Sequence, residues 1–381
     1  MARLGDVCTI NPRAERLPDD FEVSFVPMQN VSEEGFVDTT ITKKYAQVKK
    51  GFTYFQEDDV LFAKITPCME NGKGGIAKNL KNGIGFGSTE FHVLRPNLNL
   101  VISSWLYYLT SWTEFRKECE KNMTGSAGQK RVPKAFLEDY KILIPSLEEQ
   151  RKIVAVLDKV SDLIAKRRKQ LEKLDLLAKA RFVEMFGDPV SNSYQFPVLS
   201  LPELGELGRG VSKHRPRNAP ELLGGKYPLI QTGEVANSDL YIHSYENTYS
   251  EVGFQQSKMW KAGTLCITIA ANIAKTAILS FDACFPDSVV GFSANEKTNN
   301  IFVHYWFSFF QEILEAQAPE SAQKNINLKI LSGLKVIVPD IEEQNCFADF
   351  VEQAEKTKTR IRESLTKLET LKKALMQEYF G

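Results

Sequence analysis

Ile144-Pro145-Ser146-Leu147-Glu148-Glu149-Gln150 opens a stretch that closes on Phe186-Gly187, and Val338-Pro339-Asp340-Ile341-Glu342-Glu343-Gln344 opens another that closes on Phe380-Gly381. The two align without a gap at a constant offset of 194 residues. Leu171, Lys173, Leu174, Leu177, Lys179, Ala180 and Glu184 recur as Leu365, Lys367, Leu368, Leu371, Lys373, Ala374 and Glu378. A fixed period of this length marks a duplicated structural unit. Further upstream Gln129-Lys130 matches Gln323-Lys324, and the LGDV of residues 4–7 is echoed by LGEL at 204–207.

Each copy reads as a short apolar strand (142–144; 336–338), a proline stop, and a long helix whose first acidic residues suit its N-terminal dipole. In the first helix Ile153, Leu157, Val160, Ile164, Arg167, Leu171, Leu174, Ala178, Arg181 and Met185 alternate spacings of four and three. The second gives Phe347, Val351, Ala354, Lys358, Ile361, Leu365, Leu368, Lys372, Leu375 and Tyr379 in the same frame, so the helices are expected to pair along a heptad seam. About 39 residues at about 1.5 Å each make a rod of about 58 Å. Because the second globular segment joins the end of helix one to the start of helix two, the pair is expected to be antiparallel. Met1 is then expected near Gly381, in a pseudo-two-fold internal repeat. The resulting fold class is α/β (α+β), with globular domains at 1–141 and 188–335, and a strand plus spacer helix at 142–187 and at 336–381. Each globular segment also holds one aromatic run, Trp105-Leu106-Tyr107-Tyr108-Leu109 and Tyr305-Trp306-Phe307-Ser308-Phe309-Phe310, bunched as a core helix is rather than spread as a base-stacking platform is.

The chain has 381 residues, 48 basic and 48 acidic, so no overall positive field holds a polyanion and any nucleic-acid contact must be local. Six cysteines and four histidines are scattered without metal-ligand spacing, so no metal site or disulfide framework is expected. There is no apolar leader or membrane-length run, which fits a cytoplasmic protein without membrane attachment. No Walker loop, no G-x-S-x-G elbow and no Asn-Pro-Pro-aromatic pocket occurs, and no catalytic residue is expected. Gly72 to Ala77 formally fits G-x-G-x-x-A but lacks a strand entering a helix, and Asp139-Tyr140-Lys141 has nuclease D-x-K spacing without an upstream metal carboxylate.

Positive signals are polar loops rich in small residues. Lys64, Thr66, Asn71 and Lys73 sit in a Gly-rich turn and could reach phosphates or base edges, or form an ordinary solvated hairpin loop. Ser126, Gln129, Lys130 and Arg131, with the counterparts Gln323, Lys324 and Asn325, precede the repeated strand in both copies, where backbone amides and cations suit phosphate. In the second domain Lys213, Arg215 and Arg217 form a basic loop with Arg209 and His214, while Gln231, Thr232, Asn272 and Lys275 stand at strand ends; for each of these a solvated surface is the competing reading. The mid-rod run Lys166-Arg167-Arg168-Lys169 suits a solvated face, a phosphate or a protein partner.

Taken together, the two copies of strand-Pro-x-x-Glu-Glu-Gln-helix-Phe-Gly, the Ser-Ala-(Gly)-Gln-Lys turn, LGDV, and DDVLFAKITPCMENGKGGIAK at 58–78 resemble the specificity subunits of type I restriction-modification enzymes over essentially the whole chain. Asp58-Asp59 stands where the family has Gly-Asp. The resemblance implies two target-recognition domains held apart by a coiled-coil ruler, reading a bipartite, asymmetric sequence in double-stranded DNA. It implies two modification (methyltransferase) subunits and restriction (endonuclease and translocase) subunits as partners. No cofactor is expected on this chain; S-adenosylmethionine, ATP and Mg²⁺ would belong to the partners. The seam residues Leu157, Val160, Ile164, Leu171, Leu174, Val351, Ile361, Leu365 and Leu368 would hold the helix pair or a partner. Two rival readings are a coiled-coil adaptor without a DNA role and a methyltransferase or nuclease in its own right.

Overall fold

The computed structural model describes residues 1–14, 16–214, 216–270, 272–317 and 326–381. The repeated stretches form two helices of 40 residues each, Leu147–Phe186 and Ile341–Phe380. The chain divides into two compact units, residues 1–168 with 363–381, and residues 169–362. Each unit therefore contains a portion of both helices.

In the first unit β1 (Ala2–Arg3) leads into the single turn α1 (Leu4–Val7), where the Asp6 carboxylate accepts the Arg3 N–H at 3.0 Å and so caps the turn. There follow β2 (Cys8–Ile10), β3 (Glu22–Val26), β4 (Thr42–Lys44), α2 (Tyr45–Val48), β5 (Thr53–Gln56), β6 (Val60–Ala63), β7 (Gly74–Ile76), β8 (Ile84–Gly87) and β9 (Phe91–Pro96). They build two four-stranded sheets in the orders β2-β9-β6-β7 and β4-β3-β8-β5, antiparallel except for β3 beside β8. Helices α3 (Ser103–Ser111), α4 (Thr113–Lys121) and α5 (Lys134–Asp139) come next, then β10 (Lys141–Ile142) pairs with β1, and α6 (Leu147–Phe186) begins. As the bunched aromatics require, α3 is a core helix: Trp105, Leu106, Tyr108 and Leu109 are all buried.

The second unit repeats this plan with β11 (Val198–Ser200), α7 (Leu201–Leu204), β12 (Gly205–Arg209), β13 (Leu223–Leu229), α8 (Thr232–Asn237), β14 (Tyr241–Ile242), β15 (Asn247–Tyr249) and α9 (Glu251–Gln255). It continues through β16 (Met259–Trp260), β17 (Leu265–Thr268), β18 (Thr276–Leu279), β19 (Ala283–Cys284), β20 (Val289–Ala294), α10 (Asn300–Gln317), α11 (Leu328–Gly333), β21 (Lys335–Ile337) and α12 (Ile341–Phe380). Its sheets run β12-β20-β17-β18-β14 and β15-β13-β19-β16, so every neighbour relation of the first unit recurs, including one parallel pair, β13 with β19; only β14 is added.

In both units the helices are antiparallel. The first core joins Ile153 and Leu157, near the start of α6, to Leu375, Met376 and Tyr379, near the end of α12. The second joins Ala178, Phe182 and Phe186 to Phe347 and Val351. Leu157, Val160, Ile164, Val351 and Ile361 are buried, and Leu171, Leu174, Leu365 and Leu368 are half-buried, as a two-helix seam open on its flanks requires. Leu4, Val7 and Phe380 all belong to the first unit's core, so the first and last turns of the chain meet in one apolar cluster.

Two sequence expectations are revised. The counterpart of the 4–7 turn is not 204–207 but α7, Leu201–Leu204, where the Glu203 carboxylate accepts the Ser200 N–H at 2.7 Å as Asp6 does for Arg3. Leu207 instead lies in β12. Capping geometry, an acid three residues past the strand end, overrides the LG match. Gly74 and Gly75, read as part of a flexible turn, are buried strand residues of β7; a Cβ on Gly75 would stand 2.5 Å from the Gly35 carbonyl oxygen. This close backbone approach explains the glycines without a dinucleotide.

Candidate nucleic-acid interface

Two of the loops singled out in the first unit are one surface. The β6–β7 connection carries Lys64, Thr66, Asn71 and Lys73, and the segment before α5 carries Ser126, Gln129, Lys130 and Arg131. Backbone bonds join them: Thr66 N–H donates to the Lys130 carbonyl at 3.1 Å and Val132 N–H to the Lys64 carbonyl at 2.9 Å. Within that surface the side chains divide. Asn71, Ser126, Gln129 and Lys130 are exposed. Thr66 donates to Glu70 at 2.7 Å, Lys73 donates to the Met28 carbonyl at 3.4 Å, and Arg131 donates twice to Glu90 at 2.9 Å. These three shape the loops, while the exposed four are available to a ligand.

Glu90 and His92, on and beside β9, were not found from the sequence. The Arg131 guanidinium holds the Glu90 carboxyl below its ordinary value. Burial pushes the Lys64 ammonium down, with Glu90 opposing and Arg131 adding to the effect. His92 is buried; its Nδ1 is 3.0 Å from the Asn11 amide nitrogen and its Nε2 is 2.8 Å from the Val132 carbonyl oxygen. Burial lowers its pKa to about 4, so it is a neutral strut beneath the 124–132 loop.

The second unit builds the same junction with other side chains. Ile326 N–H donates to the Ile269 carbonyl and Ile269 N–H to the Ser288 carbonyl, both at 3.0 Å, as Val132 does to Lys64 and Lys64 to Glu90. Ile269 thus stands in the place of Lys64, Ser288 of Glu90, and Val290 of His92. Asn272 and Lys275 lie in the matching β17–β18 connection, Asn272 exposed and Lys275 half-buried. Gln323, Lys324 and Asn325 lie outside the described residues, as does Arg215. Lys213 is exposed, and its N–H donates to Gln256 Oε1 at 2.5 Å; Arg217 is paired with Asp287. Gln231 stands past the end of β13 as the N-cap of α8, its N–H bonded to Glu234 at 3.1 Å, and Thr232 is the first residue of that helix.

The repeat itself hid one functional pair. Gln150 is fully buried; its amide donates to the Leu100 and Pro145 carbonyls at 2.8 and 3.0 Å, and its oxygen accepts the Ile102 N–H at 3.0 Å. Gln344 donates to the Lys297 and Pro339 carbonyls at 3.1 and 2.8 Å and accepts the Thr298 hydroxyl at 2.8 Å. In each copy the glutamine of Pro-x-x-Glu-Glu-Gln rivets the start of a spacer helix to the loop before its domain's core helix. Its appearance in both copies was the available signal.

The sequence profile of the type I restriction modification DNA specificity domain matches this chain twice, over residues 1–174 and 198–372. The chain belongs to that family. The type I specificity domain is thus present in tandem, and each match covers one globular region with most of its spacer helix. Among relatives, the EcoEI specificity subunit of Escherichia coli is 44% identical over 159 residues, which is 41% of this chain and 27% of that protein. The EcoAI specificity subunit, also of Escherichia coli, is 38% identical over 214 residues, 55% of this chain and 35% of that protein. These alignments span about a third of the relatives' length or less. At the level of fold, a type I restriction-modification S subunit from M. genitalium superposes with a TM-score of 0.58 at 12% identity, covering 100% of this chain and 95% of that one. A chain solved in work on complex assembly and conformational transition of the type I R-M system gives a TM-score of 0.59 at 18% identity, covering 99% and 96%. No described helix is long and apolar enough to cross a membrane.

Proposed function

We propose that this chain is the DNA-reading and scaffolding subunit of a type I restriction-modification complex. Each globular domain reads one half of a bipartite, asymmetric duplex target, and the helix pair sets the unread gap. The observation that carries the reading is one backbone junction built twice and filled differently, Lys64, Glu90 and His92 in one unit and Ile269, Ser288 and Val290 in the other. A scaffold held by main-chain bonds is free to vary the side chains it presents, so the half-sites differ. Forty-residue helices at about 1.5 Å per residue are about 60 Å long, the length of about 17 base pairs at 3.4 Å per step.

The exposed side of the repeat supports two equal partners. Lys173, Leu177, Ala180 and Glu184 form a stripe beside the seam and recur as Lys367, Leu371, Ala374 and Glu378, with Leu177 and Leu371 49% and 46% exposed. Fold alone does not require exposed residues to match, whereas docking two copies of one modification subunit does. Methyl transfer, ATP-driven translocation and cleavage then belong to partner subunits with their S-adenosylmethionine, ATP and Mg²⁺, and this chain works in the cytoplasm without catalytic residues.

Mapping adenine methylation in a host that carries this chain with its modification subunit tests the reading. A two-part, asymmetric motif is the expected result, and a continuous palindrome overturns it. An adaptor without a DNA role predicts no salt-sensitive duplex binding by the same complex. Methylation or cleavage by the chain alone, given S-adenosylmethionine or Mg²⁺, would revive the enzyme reading.

A further inference from the structure

We infer that Arg168 and Arg362 are positioning residues, each latching the flank of its own recognition domain to the helix pair and so fixing the direction in which that domain's loops point. The inference rests on the reading of the domains as DNA-reading heads. The two arginines are repeat equivalents, one on α6 and one on α12. Arg168 pairs with Glu34 at 3.2 Å and with Glu369 of α12 at 2.9 Å. Arg362 pairs with Asp239 and lies 3.9 Å from Glu355, which holds the buried Lys358 at 2.6 Å; Lys358 in turn pairs with Asp175 of α6. Glu369 and Asp175 are themselves repeat equivalents, so each unit links a domain acid, through cations of one spacer helix, to the same acidic position on the other.

The domain acids make the case. Glu34 and Asp239 do not align in sequence, yet both lie in the connection that follows the repeated strand of the second sheet, β3 in one unit and β13 in the other. Two diverged connections each put a carboxylate on the arginine that duplication preserved. Glu34 is held in a tight turn, its carbonyl accepting the Tyr107 hydroxyl at 3.2 Å; Gly35 beside it has φ 96°, and a Cβ there would stand 2.0 Å from Tyr107 Oη. The turn is shaped to present the acid.

Exposed ion pairs bias a population by only about two- to five-fold each. Such a latch adjusts alignment without holding the fold together, and its loss is expected to leave the melting temperature unchanged. The test uses the full chain with its modification subunits and duplexes carrying the methylated site at its native gap and with one base pair added or removed. Arg168→Ala and Arg362→Ala should each weaken native-gap binding about two- to five-fold and shrink the preference over the altered gaps, with base preference in each half-site unchanged. Glu34→Gln, which spares the Arg168–Glu369 pair, should reproduce Arg168→Ala. Amide exchange over 32–36 should quicken in Arg168→Ala, and over 237–241 in Arg362→Ala. Unchanged gap preference in both arginine variants overturns the latch. If the wild-type complex shows no two-part preference, the DNA reading has failed, and unchanged exchange in the two segments then overturns the latch by itself.

Discussion

The two globular regions share every strand pairing of the first, with β14 added in the second, and share almost nothing at their loop tips. In the first, a half-buried lysine, a glutamate clamped by arginine and a neutral histidine surround the junction; in the second, an isoleucine, a serine and a valine occupy the same three places. Backbone bonds persist where side chains have been replaced. On the proposed function, the difference separates what holds a recognition domain from what it reads.

Exchange of the heads breaks or sharpens that comparison most strongly. Replacing 205–326 with 8–132 is expected to give a folded chain whose two-part target has identical, inverted half-sites, with affinity for the original target down by at least about 10³-fold, the span between specific and non-specific binding. Fluorescence anisotropy on both targets measures it, and a chimera that keeps the original preference would locate specificity outside the domains. Next in size, Gln150→Leu leaves three part-buried backbone groups without their side-chain partner and should cost about 1 to 3 kcal/mol in urea unfolding. Gln344→Leu should cost about as much, and a large inequality would mean that the rivets are not equivalent.

A third prediction concerns only the first head. His92 is neutral in the folded chain because its pKa lies at about 4, while unfolded it titrates near 6.5, so its stabilising contribution is complete above pH 6.5, falls as the pH drops, and is lost by about pH 4. Between pH 6.5 and 5 the loss should be about 2 kcal/mol, and His92→Gln should flatten that part of the urea-midpoint profile. His304, lowered to about 4 by burial, leaves a similar dependence in the second unit of that variant. The smallest effect is that of Lys130→Ala, which should weaken binding to all sequences alike and reduce the slope of log affinity against log salt by about 1; an altered base preference would assign it a base contact instead.

Much of this architecture was legible because duplication leaves a register that composition cannot imitate. Heptad spacing located both helices, and Trp105 and Trp306 announced the core helix of each domain. The strand ends were harder, since Ile144 and Val338 continue an apolar run past the last ladder pair. The LG echo at 204–207 misled because letter identity says nothing about which carboxylate caps which turn. At the site, sequence named the loops but could not tell available side chains from engaged ones. Arg131 looks like a phosphate ligand until Glu90, 41 residues away, is seen gripping it. Arg168 looked like part of a solvated basic run because its two carboxylates lie 134 and 201 residues away in the chain.

The first core packs Trp105 and Trp112 against Phe380, whose ring lies 5.3 and 6.4 Å from theirs between centroids. During translation that lid leaves the ribosome more than two hundred residues after the tryptophans it covers. Throughout that interval the nascent first domain carries an open apolar slot, an address for chaperones and for proteases alike. Completion of the earliest-made core therefore waits on residues synthesised long after it, and a ribosome stalled before residue 375 leaves that core open.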